Sequence, residues 1–257
     1  MTGVIEERDD RDVVTITLDR PHVKNALDAE AFLALGDALR AAARDGARAV
    51  LLTGAGGNFC SGADLSTQSE DRPVHPIVGM REVGRTVMAL HHLPIPTLAK
   101  VDGVAVGAGL NLALGCDLIV ASSRARFCEI FARRGLTIDG GGSWLLPRLI
   151  GLHRAKELAL LAEILSAEEA ASLGLVNRVV PAEELDHMAD EWVSRLASGP
   201  TLALGMTKNL LNQAAGLTMA EAVEAEAVAQ SVNFATQDTT EGFRAFLEKR
   251  DPDFLGR

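Results

Sequence analysis

The sequence predicts an α/β fold, a layered core followed by a helical tail, and three observations carry that prediction. Short β-branched runs alternate with helical patterns over the first two thirds of the chain. The run "ARAVLLTGAG" reads as a short buried strand that ends in a glycine turn. After "SGP" at 198–200 only helical patterns remain, which separates a core, 1–197, from a C-terminal helical region, 198–257.

Taken in order, Val4–Arg8 and Val13–Leu18 flank the charged turn "DDRD" and read as a starting hairpin. Asp28 can cap a helix whose apolar positions Phe32, Leu35, Ala38 and Leu39 fall at helical spacing. A strand over "ARAVLLTG" runs into a glycine turn, and the polar, proline-bearing 66–76 reads as a surface loop. A helix at about 77–92 stops before "LPIP". Next come a strand over "TLAKVDGVAV", a helix from Ala108 to Gly115 and a strand over "CDLIVAS". Helices follow at "EIFARRG", "SWLLPRLIG", "HRAKELALLAE" and "SAEEAASLG", before the short strand "LVNRVV".

Composition narrows the function classes. With 257 residues, 47% of them hydrophobic, the chain can bury a substantial core. A formal charge of −10, from 35 acids against 25 bases, argues against broad nucleic-acid binding, which needs a basic stripe. Cys60, Cys116 and Cys128 form no CxxC and read as free thiols in a reducing compartment. The acidic N-terminus lacks the pattern of a signal peptide, and the apolar run 104–120 is interrupted by Asn111, Asp117 and glycines. A cytoplasmic protein without a membrane span is expected. The six histidines contain no HExxH, so no metal site is expected.

Two glycine turns, "FCSGADL" and "GVAVGAGLNLALGCD", are apolar and almost free of acid–base groups. A strand ending in glycine and entering a helix leaves backbone N–H groups without intrahelical partners. Such donors, helped by the helix dipole, suit a negative oxygen. Two of them facing each other, from Ala63 and Ala108, would form an oxyanion hole that needs no side-chain chemistry. Either turn alone could equally be a plain strand-to-helix connection, because glycine is a common turn residue. "GAGLNLALG" has Leu112 where a dinucleotide fingerprint needs its third glycine, and "GGGSWLL" is not a nucleophile elbow.

The segments "RPHVKNAL", "NFCSGADL", "VDGVAVGAGLNLALGCDLIVAS", "ARFCEIFARRGLTIDGGGSWLLPRLIG" and "LSAEEAASLGLVNRVV" resemble the enoyl-CoA hydratase/isomerase (crotonase) superfamily, in order and over nearly the whole chain. The resemblance implies a crotonase-like spiral of ββα units with a C-terminal helical region that builds homotrimers, often paired into hexamers. It implies an acyl-CoA thioester substrate, with CoA as part of the substrate and no separate cofactor. The two amide donors fall on Ala63 and Ala108, beside Gly107.

The two glutamates of the hydratases fall on Asn111 and Phe131, neither of which can exchange a proton near neutral pH. The acid that remains is Asp139. By itself an Asp before three glycines reads as an Asx-turn or helix cap. In isomerase branches of the family an aspartate here moves the proton. Leu136, Ile138 and Trp144 are expected to shield it and raise its pKa. Glu129, two residues before Phe131, is expected to turn away from the site as a structural charge. Cys128 reads as packing.

Resemblance also places Ala63, Asp64 and Leu65 beside the adenine, and Lys24 and Ala26 along the pantetheine and diphosphate. Phe246 and Lys249 would reach CoA in a neighbouring subunit, although Lys249 alone reads as a surface lysine. Three functions follow: an isomerase shifting a C=C bond with Asp139 as proton shuttle, an enoyl-CoA hydratase, or a non-catalytic acyl-CoA-binding protein. Family members that bind RNA use a lysine-rich helix. The comparable helix here offers only Arg81 and Arg85, partly offset by Glu82, so no RNA binding is expected.

Overall fold

The computed structural model describes residues 2–67 and 75–257. Its strands are β1 (Val4–Arg8), β2 (Val13–Leu18), β3 (Ala49–Gly54), β4 (Thr97–Val101), β5 (Val104–Val106), β6 (Leu118–Ser122), β7 (Arg126–Cys128), β8 (Leu165–Ser166) and β9 (Arg178–Val180). Its α-helices are α1 (Ala29–Arg44), α2 (Pro76–His91), α3 (Ala108–Gly115), α4 (Gly142–Leu161), α5 (Ala167–Leu173), α6 (Leu185–Ala197), α7 (Thr201–Ala214), α8 (Met219–Asn233) and α9 (Gln237–Glu248). Residues 68–74 of the expected surface loop lie outside the described residues, while Leu65–Thr67 form a 3₁₀ turn.

The main sheet has the order β1-β2-β3-β4-β6-β9, with the β1–β2 hairpin antiparallel and every other pair parallel. Side chains alternate across it with period two. One face carries Val14, Ile16, Leu18, Val50, Leu52, Ala99, Val101, Ile119 and Ala121 into the larger core. The opposite face carries Val13, Ala49, Leu98 and Val120 against Leu185, Ala189, Val193 and Ala197 of α6. Those four recur every fourth residue, which keeps them on one stripe of the helix.

Local signals start the helices, at α1 as expected. Asp28 caps α1 by accepting the Ala31 N–H at 2.9 Å, and Phe32, Leu35, Ala38 and Leu39 are all buried. Ser166 with Glu169, and Thr218 with Glu221, close capping boxes on α5 and α8. The two helices expected over 143–163 run on as α4, but Gly151 is non-helical and breaks it where they were expected to part. "EIFARRG" forms a 3₁₀ helix, Ile130–Arg134, in place of an α-helical turn.

One expected strand is two. "TLAKVDGVAV" splits at Gly103, whose φ of +55° ends β4 and sends β5 into a different sheet. The Asp102 carboxylate fixes the break by accepting from Gly103 N–H and Ser122 Oγ and pairing with Arg124. The second sheet has the order β5-β7-β8 and is extended by single bridges, Cys60 to Ala105 and Leu27 to Ala63. The first glycine turn is therefore held as part of a sheet. All eight residues of α3 are buried, and no helix of the described residues is long and apolar enough to cross a membrane.

Close approach of α3 to the first turn needs Gly109: a methyl group there would lie 2.3 Å from the Cys60 carbonyl oxygen. Gly109→Ala is expected to lower the unfolding free energy by about 1–3 kcal/mol in a urea titration, the range for overpacking a tight site. Gly84→Ala is the control. It lies in α2 with open space around the added carbon, and is expected to be neutral or stabilising by up to ~1 kcal/mol.

Candidate active site

The two turns meet. Gly62 has φ +100° and Gly107 φ +55°, conformations that L-residues with side chains rarely adopt. A methyl group on Gly62 would lie 2.9 Å from the Val106 carbonyl oxygen and 3.7 Å from the Ala108 nitrogen. In the bridge to Leu27, the Leu27 N–H donates to Gly62 O and the Asp64 N–H donates to Leu27 O, each at 2.8 Å. The Ala63 amide therefore points away from Leu27, to the side where β5 and α3 begin. Ala108 opens α3, and its N–H has no intrahelical acceptor. Among the described residues neither amide is engaged by a protein acceptor.

Asp139 stands beside this pair. Gly140 and Gly141 follow it at φ +59° and +84°, and a methyl group on Gly140 would touch Asn111 Cβ at 3.1 Å and Ala108 Cα at 3.8 Å. The Asp139 carbonyl accepts Gly142 N–H at 3.0 Å and Asn111 Nδ2 at 2.9 Å, which fixes its peptide against α3. Its carboxylate Oδ1 is buried without a hydrogen-bond partner, and burial lifts the pKa from 3.8 to about 6. The direction matches expectation. Of the three residues expected to shield it, Leu136 and Trp144 are 52% and 38% exposed, while Ile138 is half-buried against the core.

Glu129 corrects a second expectation. It does not turn away: it is 0% exposed, and Asn111 Nδ2 donates to its Oε2 at 3.4 Å. The two-residue offset from Phe131 does not set its direction, because Glu129 (φ −85°, ψ 72°) sits at the junction of β7 and a 3₁₀ helix, in neither register. Burial, and secondarily the negative charge of Asp139, push its pKa to about 8 against the lowering pull of Asn111. Phe131 is buried, its ring edge 3.6 Å from a methyl group built on Gly107. Cys128 is buried with its thiol on the Ala162 carbonyl, and burial raises its pKa, as packing predicts.

The segment named for CoA is stitched to the first turn. Lys24 is exposed, and its carbonyl accepts Ser61 N–H at 3.0 Å. Ala26 is buried, with its carbonyl taken by Arg20, which leaves it little surface for a ligand. The Asp64 side chain is committed inward: Arg20 pairs with it at 2.9 Å, and also with Asp28 at 3.0 Å. Leu65 is half-exposed next to Ala63. Phe246 is 82% exposed at the end of α9, and Lys249 lies exposed just beyond it, so within one chain neither side chain is packed.

Two structural residues escaped the sequence. Asn25 is fully buried and bonds Ala55 O, Asn58 O and Arg20 N, while Arg20 links three segments around the first turn. Neither carries a spacing signal. A cavity of about 370 Å³ opens beside the Asp139 loop at Gly141 and is lined by Val87, His91, Trp144, Leu145 and Asn212. Clefts of about 550 and 920 Å³ lie on α9 and along α2, and neither is lined by residues of the glycine turns.

A spiral of ββα units around two facing amide donors and a buried carboxyl defines a crotonase-like enzyme. A sequence profile described as enoyl-CoA hydratase/isomerase matches residues 8–257. The chain is 41% identical over 245 residues to a probable enoyl-CoA hydratase of Rhodobacter capsulatus, covering 95% of each. It is 40% identical over 254 residues to the 1,2-epoxyphenylacetyl-CoA isomerase of Escherichia coli, covering 96% of this chain and 97% of that one. The crystal structure of an enoyl-CoA hydratase from Bacillus anthracis superposes with a TM-score of 0.94 at 31% identity, over 99% of this chain and 100% of the other. The chain belongs to the enoyl-CoA hydratase/isomerase family, enzymes that transform acyl-CoA thioesters.

The two raised carboxyls give a signed stability prediction. Between the ordinary and folded pKa values, 3.8 to about 6 for Asp139 and 4.5 to about 8 for Glu129, the unfolded chain has released a proton that the folded chain keeps. Their contribution is intact below the lower values and declines as pH rises to about 8. Glu129→Gln is therefore expected to melt higher than the parent at about pH 8, with the gap closing toward about pH 4. Paired melting curves across that range check it.

Proposed function

We propose that the protein shifts a carbon–carbon double bond in an enoyl-CoA, converting a 3-enoyl thioester to the conjugated 2-enoyl thioester. The thioester oxygen lies between the Ala63 and Ala108 N–H groups, which stabilise the negative charge as the dienolate forms. The Asp139 carboxylate takes a proton from C2, and the resulting acid returns it at C4, so no proton is gained or lost overall. Asp139, about 6 in pKa, is ionised at neutral pH yet close enough to it to give the proton back.

One observation carries this reading. The acid beside the amide pair that is partly open is a single aspartate, while the position at 111 holds an amide and the position at 131 an aromatic ring. Hydration of a 2-enoyl thioester is the second reading, and the name of the Rhodobacter capsulatus relative favours it as much as the Escherichia coli name favours an isomerase. Hydration needs a base for water and an acid for C2. The second carboxyl here, Glu129, is sealed behind Asn111.

For the substrate's ends, the cavity beside Gly141 is the candidate acyl site, with the Trp144 ring edge-on to His91 at 5.1 Å. Lys24, exposed beside the first turn, is the candidate contact for CoA phosphate. Association of copies, with Phe246 and Lys249 completing a neighbour's CoA site, is supported by α8, which buries no residue within one chain and exposes Met219, Val223, Val228 and Val232.

The expected outcome is a mass-neutral conversion of 3-enoyl-CoA, with no gain of one water by 2-enoyl-CoA, in a mass-resolved panel of acyl chains. Asp139→Asn is expected to lower kcat by about 10²–10⁴-fold. The parent's activity is expected to fall as pH drops through about 6, because protonation removes the base. Rapid water addition, or an unimpaired Asp139→Asn variant, would overturn the reading.

A further inference from the structure

Three buried oxygens at this site have no hydrogen-bond partner: Asn111 Oδ1, Glu129 Oε1 and Asp139 Oδ1. Asn111 explains how they are connected. It is fully buried on α3, and its Nδ2 group reaches both the Asp139 carbonyl at 2.9 Å and Glu129 Oε2 at 3.4 Å. One amide thus ties the loop of the proposed base to a second acid. A buried carboxyl without a cation beside it belongs in its neutral form, since no salt bridge compensates its desolvation.

The surroundings of Glu129 contain little that could offset its charge. The helix α3 carries no ionisable side chain. The loop before α4 contributes Asp139, a like charge. On its own strand the neighbour is Cys128, a thiol bonded to the Ala162 carbonyl. Arg133 and Arg134 on the following 3₁₀ helix are exposed, and no described ion pair reaches Glu129. As a neutral acid, Glu129 also supplies an O–H donor to a cluster that otherwise holds three acceptors without one.

We propose that Glu129 is a positioning residue whose neutral form the site requires: it accepts from Asn111, through Asn111 it holds the Asp139 peptide beside the amide pair, and its ionisation switches the site off by adding a charge there. The anion would place a second negative charge against Asp139 and against the enolate, whose stabilisation by two backbone amides is the source of the rate. This rests on the reading of Asp139 as the base. It adds an acid that touches no reacting atom, at a position that neither glutamate of the hydratases occupies.

The consequence is an alkaline limit on turnover. The parent's kcat is expected to fall about tenfold per pH unit above about 8, where Glu129 loses its proton. Glu129→Gln keeps the shape and the amide-accepting oxygen but cannot ionise. Its profile is expected to lack that fall up to about pH 9, whatever its absolute kcat. An alkaline fall with the same midpoint in Glu129→Gln would overturn the proposal, as would a uniform loss of kcat at every pH with the profile's shape unchanged.

A second measurement needs no turnover. Difference infrared spectroscopy of the parent and of Asp139→Asn should show a protonated carboxyl band that disappears on titration through the alkaline range and is missing in Glu129→Gln. Absence of that band in the parent would also overturn the proposal, even if Glu129→Gln fails to fold. The two readings fail separately. Full activity in Asp139→Asn removes the base but leaves the titrating band, whereas an inactive Asp139→Asn with no such band in the parent removes Glu129 alone.

Discussion

The contact on which the site depends is between two stretches of backbone, the turn after Phe59 and the start of α3. Cys60 exchanges two hydrogen bonds with β5, at 2.9 Å each, and Gly109 lets α3 lie against the Cys60 carbonyl with no side chain between. Shift that bridge by one residue and Ala63 turns its amide the other way, because strand direction alternates with every residue. The same approach explains why both turns look chemically empty. Side chains would hold them apart, and the donors the site needs are already in the main chain.

A site built from amides is sensitive to stray charge. In the proposed reaction negative charge develops there, so every permanent negative group nearby raises the barrier. The chain carries many acids, yet beside the start of α3 the two without a cation partner, Glu129 and Asp139, both have a raised pKa, while Asp117 at its far end pairs with Lys208. The others close to the turns are neutralised: Asp64 and Asp28 by Arg20, Asp102 by Arg124 and Ser122. The Arg20 network therefore does two things, tying the lysine segment to the first turn and screening its carboxylates from the amide pair.

What was legible in the sequence were features with a local cause. The cap at Asp28 and the apolar period of α1 act within a few residues and were read directly. The Ala108 amide was legible because a glycine turn before a helix leaves free N–H groups, whereas the Ala63 amide is turned outward by the bridge to Leu27. Features that depend on contacts distant in sequence were not legible. The break at Gly103 is fixed by Asp102 reaching Ser122 and Arg124, and Asn25 gains its role from carbonyls thirty residues away. The direction of Glu129 was not legible because it sits between β7 and a 3₁₀ helix, where neither strand nor helix periodicity says which side a residue two before Phe131 faces.

Proton economy favours isomerisation over hydration at such a centre. Isomerisation moves one proton between two carbons of the same substrate, so one carboxyl suffices if its pKa lies near the working pH. Asp139 meets that condition because its Oδ1 is buried while the residue as a whole remains half-exposed. Hydration needs a base for water and a separate acid for carbon, both facing the substrate in the same step. Asn111 occupies one of the two places where the hydratases keep those groups, with both amide hydrogens already spent on Asp139 and Glu129, and Phe131 fills the other with a ring. In the proposed reading, water admitted there would meet Asp139 as the one partly open carboxyl among the described residues, because Glu129 lies sealed behind Asn111.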